Sequence, residues 1–369
     1  MSGGVDSSVA AAFLKKAGFN VVGAFMKFWS PSEKGKAENR CCSTESETRA
    51  RKVAEILNIP FYVFSFEKEF KKKIVDYFLE EYKSNRTPNP CVVCNKEIKF
   101  GLLLKKALGL GIDFIATGHY ARIRKFVNSQ QIRYSLISAK DKNKDQSYFL
   151  WKLNQKQLGH VLFPVGNYTR AEVEKMAEIF KLPFSNVKKS MEICFVSKTV
   201  EGFLKKYIKI KSGKIIDEKG NTLGRHDGLP FYTIGQRKGM GLAGGPAFAK
   251  ATAGKPYYVV DKNIKKNELV VSQNEKDLLK KESIVKEVNW ISGKEPKMPL
   301  RAQVKIRYRS DSVPAVIYKK LDAKRYALKF FRAQRAVTPG QSAVFYLPVR
   351  SQKAKEGKGD ELLGGGVIF

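Results

Sequence analysis

Residues 2–8 bring glycine, serine and one acid together in a short loop that reads Ser-Gly-Gly-Val-Asp-Ser-Ser. Successive glycines let backbone N–H groups approach phosphate oxygens, serine hydroxyls add donors, and a following helix presents its positive N-terminal end. The side chain of Asp6 could hold a metal ion on the phosphates. A Gly-Ser loop can also be a plain turn, but this longer string favours phosphate binding. It is not the Walker loop, because no Gly-Lys-Ser follows.

Three cysteines are the candidate nucleophiles. Cys91 and Cys94 lie three residues apart in Thr-Pro-Asn-Pro-Cys-Val-Val-Cys-Asn-Lys, ahead of a predicted helix whose dipole favours the thiolate form. Cys194 lies far downstream, close to Lys188 and Lys189. A lone cysteine among apolar neighbours is ordinarily a small buried hydrophobe. Because the sequence offers no other obvious nucleophile, we interpret Cys194 as part of the same chemistry as the pair.

The chain carries a large positive charge. Its 369 residues include 69 Lys and Arg against 35 Asp and Glu, a formal net charge of +34. Such a surplus repels itself unless a polyanion shares the surface, so nucleic acid is the first candidate partner. The alternative is a lysine-rich surface that only reflects the amino-acid usage of the organism.

Length and composition also predict the number of domains and the cellular compartment. The length predicts two or three domains, and a hydrophobic content of 43% fits a folded soluble protein. No apolar run reaches the ~18 residues of a membrane span and no signal peptide is visible, so we expect a cytoplasmic protein without membrane contact. Five cysteines in that compartment indicate chemistry rather than structural disulfides. Cys41 and Cys42 are adjacent, cannot easily chelate one metal, and are assigned only a surface or loop position.

Helical and strand patterns alternate through the first half of the chain. This alternation predicts an α/β fold with a parallel sheet covered on both faces. Thr169 to Glu172 also forms a capping box that opens a helix. The predicted helices are residues 7–17, 47–57, 68–82, 96–108 and 170–180, and the predicted strands are residues 21–25, 61–66 and 114–116.

In the second half, from about residue 209, apolar and polar residues alternate as in short strands, and Gly, Asn and Asp turns separate these strands. This spacing predicts small all-β modules, one of them a barrel. Residues 244–255 are of low complexity and are interpreted as a loop insertion. The predicted strands are residues 214–217, 229–234, 257–261, 269–272, 304–308, 315–318, 326–331 and 343–346.

The loop at residues 2–8 resembles the pyrophosphate-binding loop of the ATP pyrophosphatase superfamily, whose members adenylate a carbonyl oxygen and release pyrophosphate. Along its whole length the chain is similar to the tRNA-specific 2-thiouridylases, which replace O2 of the wobble uridine by sulfur. The segments that carry this resemblance are residues 1–8, 26–29, 86–100, 116–122, 144–150, 192–196, 232–238, 307–309 and 338–341.

The resemblance implies a role for each matching position. Cys94 would be the nucleophile, Cys194 would carry the transferable sulfur as a persulfide, and Cys91 would be the third cysteine of the catalytic set. The residues implied in ATP binding are Met1, Ser2, Gly3, Gly4, Val5, Asp6, Ser7, Ser8, Met26 and Gly118. The residues implied near the tRNA or its flipped-out base are Asn89, Pro90, Cys91, His119, Lys144, Asp145, Gln146, Arg307, Tyr308 and Gln341. A base that is modified on an edge atom must leave its stack to reach such a pocket.

Two mechanisms remain open for the sulfur step. Some family members carry Asp where this chain has Cys91, and there the acid is thought to assist proton transfer. In one mechanism the Cys194 persulfide attacks adenylated C2, and Cys94 then forms a disulfide with Cys194. In the other, Cys91, Cys94 and Cys194 ligate a [4Fe-4S] cluster whose open iron delivers hydrosulfide.

The resemblance also implies the domain organisation and the partners. We expect an adenine nucleotide hydrolase-like catalytic domain at residues 1–198, a small central β-rich domain at 199–268 and a tRNA-binding β-barrel at 269–369. The implied cofactors are ATP and Mg²⁺, and the implied partners are tRNAs for Lys, Glu and Gln together with a cysteine desulfurase or sulfur-relay protein.

The start of the sequence departs from the family pattern. Family members place an apolar strand immediately before Ser-Gly-Gly, whereas here Met1 stands directly before Ser2. We expect that the start was assigned too late or that the chain is truncated. A chain extended upstream is then expected to be more soluble, or to bind ATP better, than the 369-residue chain.

Two other functions are compatible with parts of the sequence. One is another adenylating member of the superfamily, such as an amidotransferase-linked synthetase or a lysidine synthase, which does not need the paired cysteines. The other is a non-catalytic tRNA-binding relative. The intact Asp6-Ser7-Ser8 string and the three thiols favour the enzyme.

Overall fold

A computed structural model describes residues 1–31, 42–129, 131–184, 193–196, 199–242, 255–319, 322, 325–347 and 359–369. Cys41, Lys188, Lys189 and nearly all of the insertion expected at 244–255 lie outside these described residues. Within them, no helix is both long and apolar enough to cross a membrane.

The first part of the chain builds helices around two short parallel strand pairs. Strand β1 pairs with β2 from Gly23 opposite Phe61 to Lys27 opposite Ser65, and β3 pairs with β6 in the same sense. The predicted parallel strands are therefore present, but as two separate pairs among the described residues. The elements up to this point are α1 Val5–Lys16, β1 Gly23–Lys27, α2 Thr44–Ile56, β2 Phe61–Ser65, α3 Glu67–Phe70, α4 Asp76–Lys83, α5 Pro90–Cys94, α6 Leu104–Gly109, β3 Ile115–Ala116, β4 Ala121–Val127, β5 Ile132–Ser138, α7 Gln155–Leu158, β6 Val161–Leu162, α8 Arg170–Ile179 and α9 Val200–Tyr207.

Two of the helices are interrupted by π-helical segments. Lys71–Val75 joins α3 to α4, and Asn95–Leu103 joins α5 to α6, so that the chain is helical without a break over residues 67–83 and 90–109. Both runs turn apolar side chains inward, among them the fully buried Phe70, Phe78 and Phe100. The wider turn of a π segment is frequently found at functional sites.

The capping box predicted at the start of α8 is confirmed. The Thr169 hydroxyl accepts from the backbone N–H of Glu172, while the Glu172 carboxylate accepts from the backbone N–H of Thr169. Glu172 also pairs with Lys140. These contacts lower the pKa of Glu172 to about 2, with Lys140 the largest cause.

The middle of the chain forms a four-stranded sheet in the order β8-β7-β10-β9, in which β7 and β10 run parallel. Its core contains Ile215, Val259, Leu269 and Val271. The strands are β7 Gly213–Ile216, β8 Thr222–His226, β9 Tyr258–Asn263 and β10 Glu268–Ser272.

The C-terminal strands close into a barrel, as predicted. Among the described residues, six strands follow the order β11-β14-β13-β12-β15-β16, and pairing of β11 with β16 completes the ring. The β4–β5 hairpin extends the sheet, because β5 pairs with β16. The strands are β11 Leu279–Trp290, β12 Leu300–Lys305, β13 Val313–Lys319, β14 Arg325–Arg335, β15 Ser342–Tyr346 and β16 Glu361–Ile368.

Two predicted strands are wrong in part. The strand expected at 229–234 is a 3-10 turn, Leu229–Phe231, because Pro230 has no N–H to give to a strand ladder. The strand expected at 304–308 ends at Lys305, so Arg307 and Tyr308 lie in the turn that follows it.

Candidate active site

The loop at residues 2–8 is folded by its own serines. The Ser7 and Ser8 hydroxyls both donate to the carbonyl oxygen of Gly4, each over 3.0 Å, and the backbone N–H of Ser2 donates to the Ser7 hydroxyl over 3.1 Å. Helix α1 begins inside this segment, at Val5, with Gly4 as its N-cap. Because no side chain caps this helix end, the first backbone N–H groups of α1 can bind an anion.

Two glycines let the loop pack tightly against its surroundings. Gly3 has a φ of +70°, and a Cβ there would lie 2.2 Å from the carbonyl oxygen of Ser46. A Cβ on Gly118 would lie 2.5 Å from the backbone of Asp6 and Ser7. The predicted ATP residue Gly118 therefore supports the loop from behind. Met26, also predicted near ATP, lies half-buried in β1.

Asp6 is tied to two residues that the sequence did not identify as functional. Its Oδ1 accepts from the Tyr120 hydroxyl over 2.8 Å and from Arg170 Nη1 over 2.5 Å. Burial, with Asp6 adding to it, raises the pKa of Tyr120. Tyr120 lay in a motif of the resemblance, and Arg170 lay inside the capping box, where only its helix-starting role was visible. The Asp6 carboxylate is thus held in place by the Arg170 guanidinium and the Tyr120 hydroxyl, independently of any metal ion.

Cys91 and Cys94 lie within the first turns of a helix and not ahead of it. The helix begins at Pro90 instead of Lys96, because proline is well suited to the first helical position, where no N–H is needed. Cys91 is exposed, Cys94 is buried, and Cys194 is half-buried. The buried Cys94 belongs to the core cluster against which Cys194 packs. No disulfide joins the cysteines that the structure describes, so the Cys94–Cys194 disulfide stays a prediction.

The described side chains do not fit a preformed iron–sulfur site. Nowhere in the described ranges do three Cys, His, Asp or Glu side chains stand close enough to hold one metal ion. Cys91, Cys94 and Cys194 therefore do not form the three-thiolate ligand set of a [4Fe-4S] cluster in this conformation.

The segment that leads into the cysteine helix is held from the C-terminal barrel. Gln341 donates from Nε2 to the carbonyl oxygens of Thr87 and Pro88, over 2.9 and 3.1 Å. The N–H of Thr87 donates to the carbonyl oxygen of Pro339 over 2.9 Å. The Thr87 hydroxyl also lies 3.2 Å from that of Thr233, in the connection between β8 and β9 of the middle part of the chain. Three parts of the fold therefore meet at Thr87.

Asn89 and Pro90, predicted near the base, continue this segment. Pro90 is buried, and the Asn89 side chain lies close to the Tyr148 hydroxyl, which donates to the carbonyl oxygen of Ser342 over 2.9 Å. Burial raises the pKa of Tyr148. Asn89 therefore lies beside Tyr148, one residue before the cysteine helix.

The segment Lys144-Asp145-Gln146 is largely engaged with the protein itself. Asp145 is buried, and its carboxylate accepts from the backbone N–H of Ala139 and from the Ser147 hydroxyl, over 2.9 and 2.8 Å. Burial raises the pKa of Asp145. The Gln146 side chain accepts from the N–H of Tyr120 over 2.9 Å, and Lys144 is half-buried. Contact of these three residues with tRNA stays a prediction.

Arg307 and Tyr308 face different neighbours. Arg307 Nη2 donates to the carbonyl oxygens of Ile234 and Ala336 over 3.2 and 2.9 Å, which ties the connection between β8 and β9 to the barrel. The half-buried Tyr308 ring lies 4.4 Å from the ring of Phe149, centroid to centroid. Both residues are predicted to contact the tRNA or its base. Tyr308 packs against the same core cluster that contains Cys94 and against which Cys194 packs.

His119 is enclosed by apolar rings. Its Nδ1 hydrogen-bonds the Thr117 hydroxyl over 2.7 Å, and its ring packs near Phe100 and Phe163. Burial, assisted by Lys99, holds the pKa of His119 well below the ordinary value. His119 is therefore neutral at neutral pH, and its predicted place near tRNA is that of a neutral hydrogen-bonding group.

Comparison with known proteins covers the full length of the chain. Residues 1–198 match the family model described as the tRNA methyl transferase HUP domain, residues 201–273 the tRNA methyl transferase PRC-barrel domain, and residues 280–368 the aminomethyltransferase beta-barrel domain. Proteins named tRNA-specific 2-thiouridylase MnmA are similar from end to end. That of Clostridioides difficile is 44% identical over all of this chain and 96% of its own length, and that of Moorella thermoacetica is 44% identical over all of this chain and 98% of its own.

Proposed function

The chain belongs to the tRNA-specific 2-thiouridylase family, and from this premise we propose that it uses ATP to replace O2 of the wobble uridine of tRNA by sulfur. The observation that carries the proposal is that Cys94 and Cys194, far apart in sequence, pack into one core. A loop suited to phosphates accompanies them in the same domain.

The ATP half of the reaction falls to residues 1–8. The backbone N–H groups at the start of α1 and the serine hydroxyls of the loop bind the phosphates. The uracil O2 attacks the α-phosphorus, the bond to pyrophosphate breaks, and the base becomes adenylated. Oxygen on carbon is a poor leaving group, whereas AMP is a good one. Met26 and Gly118 complete the ATP site in this proposal.

Mg²⁺ would reach this site on the phosphates of ATP. Asp6 is the acidic residue of the loop, and Arg170 and Tyr120 fix the orientation of its carboxylate. Bound there, Mg²⁺ would neutralise phosphate charge and make pyrophosphate a better leaving group. The Arg170 guanidinium lies at the same end of α1 and adds positive charge there.

The sulfur half falls to the two thiols that share the core. The terminal sulfur of a Cys194 persulfide bonds to C2 of the adenylated base, and AMP leaves. The Cys94 thiolate then attacks Cys194 Sγ, the persulfide S–S bond breaks, and 2-thiouridine is released with a Cys94–Cys194 disulfide. A dithiol reductant restores both thiols. We favour this route over the cluster route, because the three cysteines do not form a ligand set in the described residues.

The barrel and the aromatic residues beside the thiols bind the tRNA. Tyr308 suits stacking of a flipped base, and His119 and Lys144 suit contact near the ATP loop. Gln341 and Arg307 contribute to tRNA binding by holding the segments to which they donate hydrogen bonds, in addition to any direct contact with the RNA. The charge of +34 supplies the general attraction for a polyanion.

The partners and the domain limits belong to the same proposal. Acceptors are the tRNAs for Lys, Glu and Gln, and a cysteine desulfurase or relay protein loads Cys194. The catalytic domain ends near residue 198, the central β-rich domain near 268, and the barrel domain occupies 269–369.

The proposal is tested by nucleoside mass analysis. The protein is incubated with unmodified tRNA, ATP, Mg²⁺, a dithiol reductant and a cysteine desulfurase with cysteine, which supplies sulfur at the persulfide level. Formation of 2-thiouridine that depends on ATP and on Cys94 supports the proposal. Full activity of Cys94→Ser on another nucleoside supports a different adenylating enzyme, and tRNA binding without pyrophosphate release supports a non-catalytic relative.

A further inference from the structure

Asn95 follows Cys94 directly and is buried, with an exposed fraction of 2%. Its side-chain amide uses one end only. Nδ2 donates to the carbonyl oxygen of Phe149 over 3.1 Å, whereas Oδ1 has no hydrogen-bond partner among the residues that the structure describes. An enclosed acceptor without a partner is destabilising, because it has lost its hydrogen bonds to water without gaining another. A bound ligand that donates a hydrogen bond would explain why Asn95 Oδ1 is buried without a partner among the described residues.

The orientation of this amide is fixed. A carbonyl oxygen can only accept, so the carbonyl of Phe149 must face the NH₂ end of Asn95. Asn95 therefore presents an acceptor, and the group that completes it must be an N–H or O–H donor.

Asn95 lies beside the catalytic cysteine of the proposed reaction and is held by an aromatic residue. The helix changes to its π-helical segment at Asn95, immediately after Cys94. Phe149, which holds the amide, packs its ring against Tyr308 at 4.4 Å, and both rings are only half-buried. Cys94 and Asn95 are both buried, so chemistry at the Cys94 sulfur requires the side chains around these two neighbouring residues to move apart.

We propose that Asn95 Oδ1 accepts the N3–H of the target uracil, and that this contact selects uridine over cytidine. N3 is bonded to C2, the atom at which sulfur enters, so a residue next to Cys94 is in the right place to read it. Cytosine carries a bare acceptor at N3 and would meet the acceptor of Asn95 with repulsion. This inference rests on the proposed thiolation and adds its specificity-determining residue.

The test measures binding, so that it does not depend on turnover. Anticodon stem-loops carry uridine, cytidine or 3-deazauridine at the target position, and their affinities are measured by fluorescence anisotropy without ATP. 3-Deazauridine keeps the shape of uridine but has C–H in place of N3–H. The full chain is expected to bind the uridine stem-loop about ten-fold or more tightly than either analogue.

The variant Asn95→Ala is expected to bind all three stem-loops alike, with Asn95→Ser as a second variant if alanine impairs folding. Asn289→Ala is the matched control, because Asn289 Nδ2 also donates to backbone carbonyls, those of Trp151 and Leu153. It is expected to keep the preference of the unmodified chain.

The outcomes separate this inference from the proposed function. Equal binding of uridine and 3-deazauridine by the unmodified chain overturns the role of Asn95, as does an undiminished preference in Asn95→Ala. Failure of the unmodified chain to form 2-thiouridine overturns the thiolation, whatever the stem-loop affinities are.

Discussion

The side-chain amide of Gln341 lies 2.9 Å from the carbonyl oxygen of Thr87 and donates to it. The contact joins the C-terminal barrel to the segment that leads, within a few residues, to Cys91 and Cys94. Gly340 makes the approach possible, because it has a φ of +90° and a Cβ there would lie 2.8 Å from the same carbonyl oxygen. A barrel that binds tRNA would in this way also set the position of the thiols.

Replacement of Gln341 by alanine is expected to loosen the cysteine helix. Two hydrogen bonds to backbone carbonyls are lost, which costs about 1–3 kcal/mol and leaves both carbonyls unpaired. Amide hydrogen exchange over residues 85–94 is expected to become faster, and thiolation slower. Gln334→Ala is the control, since Gln334 donates only to carbonyls on its own strand. Unchanged exchange in Gln341→Ala would show that the contact does not hold this segment.

Replacement of Gly118 by alanine is expected to weaken ATP binding. The added Cβ would lie 2.5 Å from the backbone of Asp6 and Ser7 and would displace the loop. We expect affinity for ATP to fall about ten-fold or more, measured by titration calorimetry. Gly109→Ala is the control, because a Cβ at Gly109 would meet nothing within 4 Å. Equal affinity of Gly118→Ala and the unmodified chain would contradict the place given to the loop.

The neutral state of His119 gives stability a specific dependence on pH. Its pKa is lowered in the folded protein, and the unfolded value is about 6.5. Below about pH 6.5 the unfolded chain binds a proton at His119 more readily than the folded chain does. The contribution of neutral His119 to the free energy of unfolding is therefore complete above about pH 6.5 and is lost as the pH falls. Urea unfolding at several pH values is expected to show a weaker loss in His119→Gln. Equal pH slopes would contradict the assignment; His226, whose pKa is also lowered, contributes equally to both proteins.

Periodicity and motifs predicted the architecture well because they report local structure. The helix at α8 followed from its capping box, and the barrel followed from regularly spaced strands. The strand expected at 229–234 was wrong because hydrophobic alternation outweighed the missing N–H of Pro230 in the prediction. The helix start at Pro90 was missed because Asn-Pro-Cys resembles a turn more than a first helical turn.

The site was only partly predictable because its supports come from distant parts of the chain. Asp6 is held by Arg170, and Thr87 is held by Gln341, yet neither pairing leaves a mark in local sequence. The contact of Asp145 with the tRNA or its base stays a prediction of the resemblance, and the hydrogen bonds that Asp145 accepts from Ala139 and Ser147 were not visible in the sequence. Which residues become hydrogen-bond partners across such long sequence separations depends on tertiary packing. Local residue types and their spacing do not reveal it.

Replacement of Cys91 by serine separates the two sulfur mechanisms. Cys91 is exposed on the first helical turn, and the persulfide route uses only Cys94 and Cys194. We expect Cys91→Ser to keep thiolation, whereas Cys94→Ser and Cys194→Ser lose it. Protein purified without oxygen is analysed for iron and sulfide in parallel. Loss of activity in Cys91→Ser together with stoichiometric iron would establish the cluster route instead.

The most direct measurement of the whole account follows the oxygen that leaves the uridine. An anticodon stem-loop is prepared with heavy oxygen at O2 of the target uridine, and it is incubated with the full chain, ATP, Mg²⁺ and a sulfur source. Adenylation of O2 predicts 2-thiouridine in the RNA and the heavy oxygen in AMP. Formation of 2-thiouridine with unlabelled AMP, or the absence of 2-thiouridine, would contradict the account.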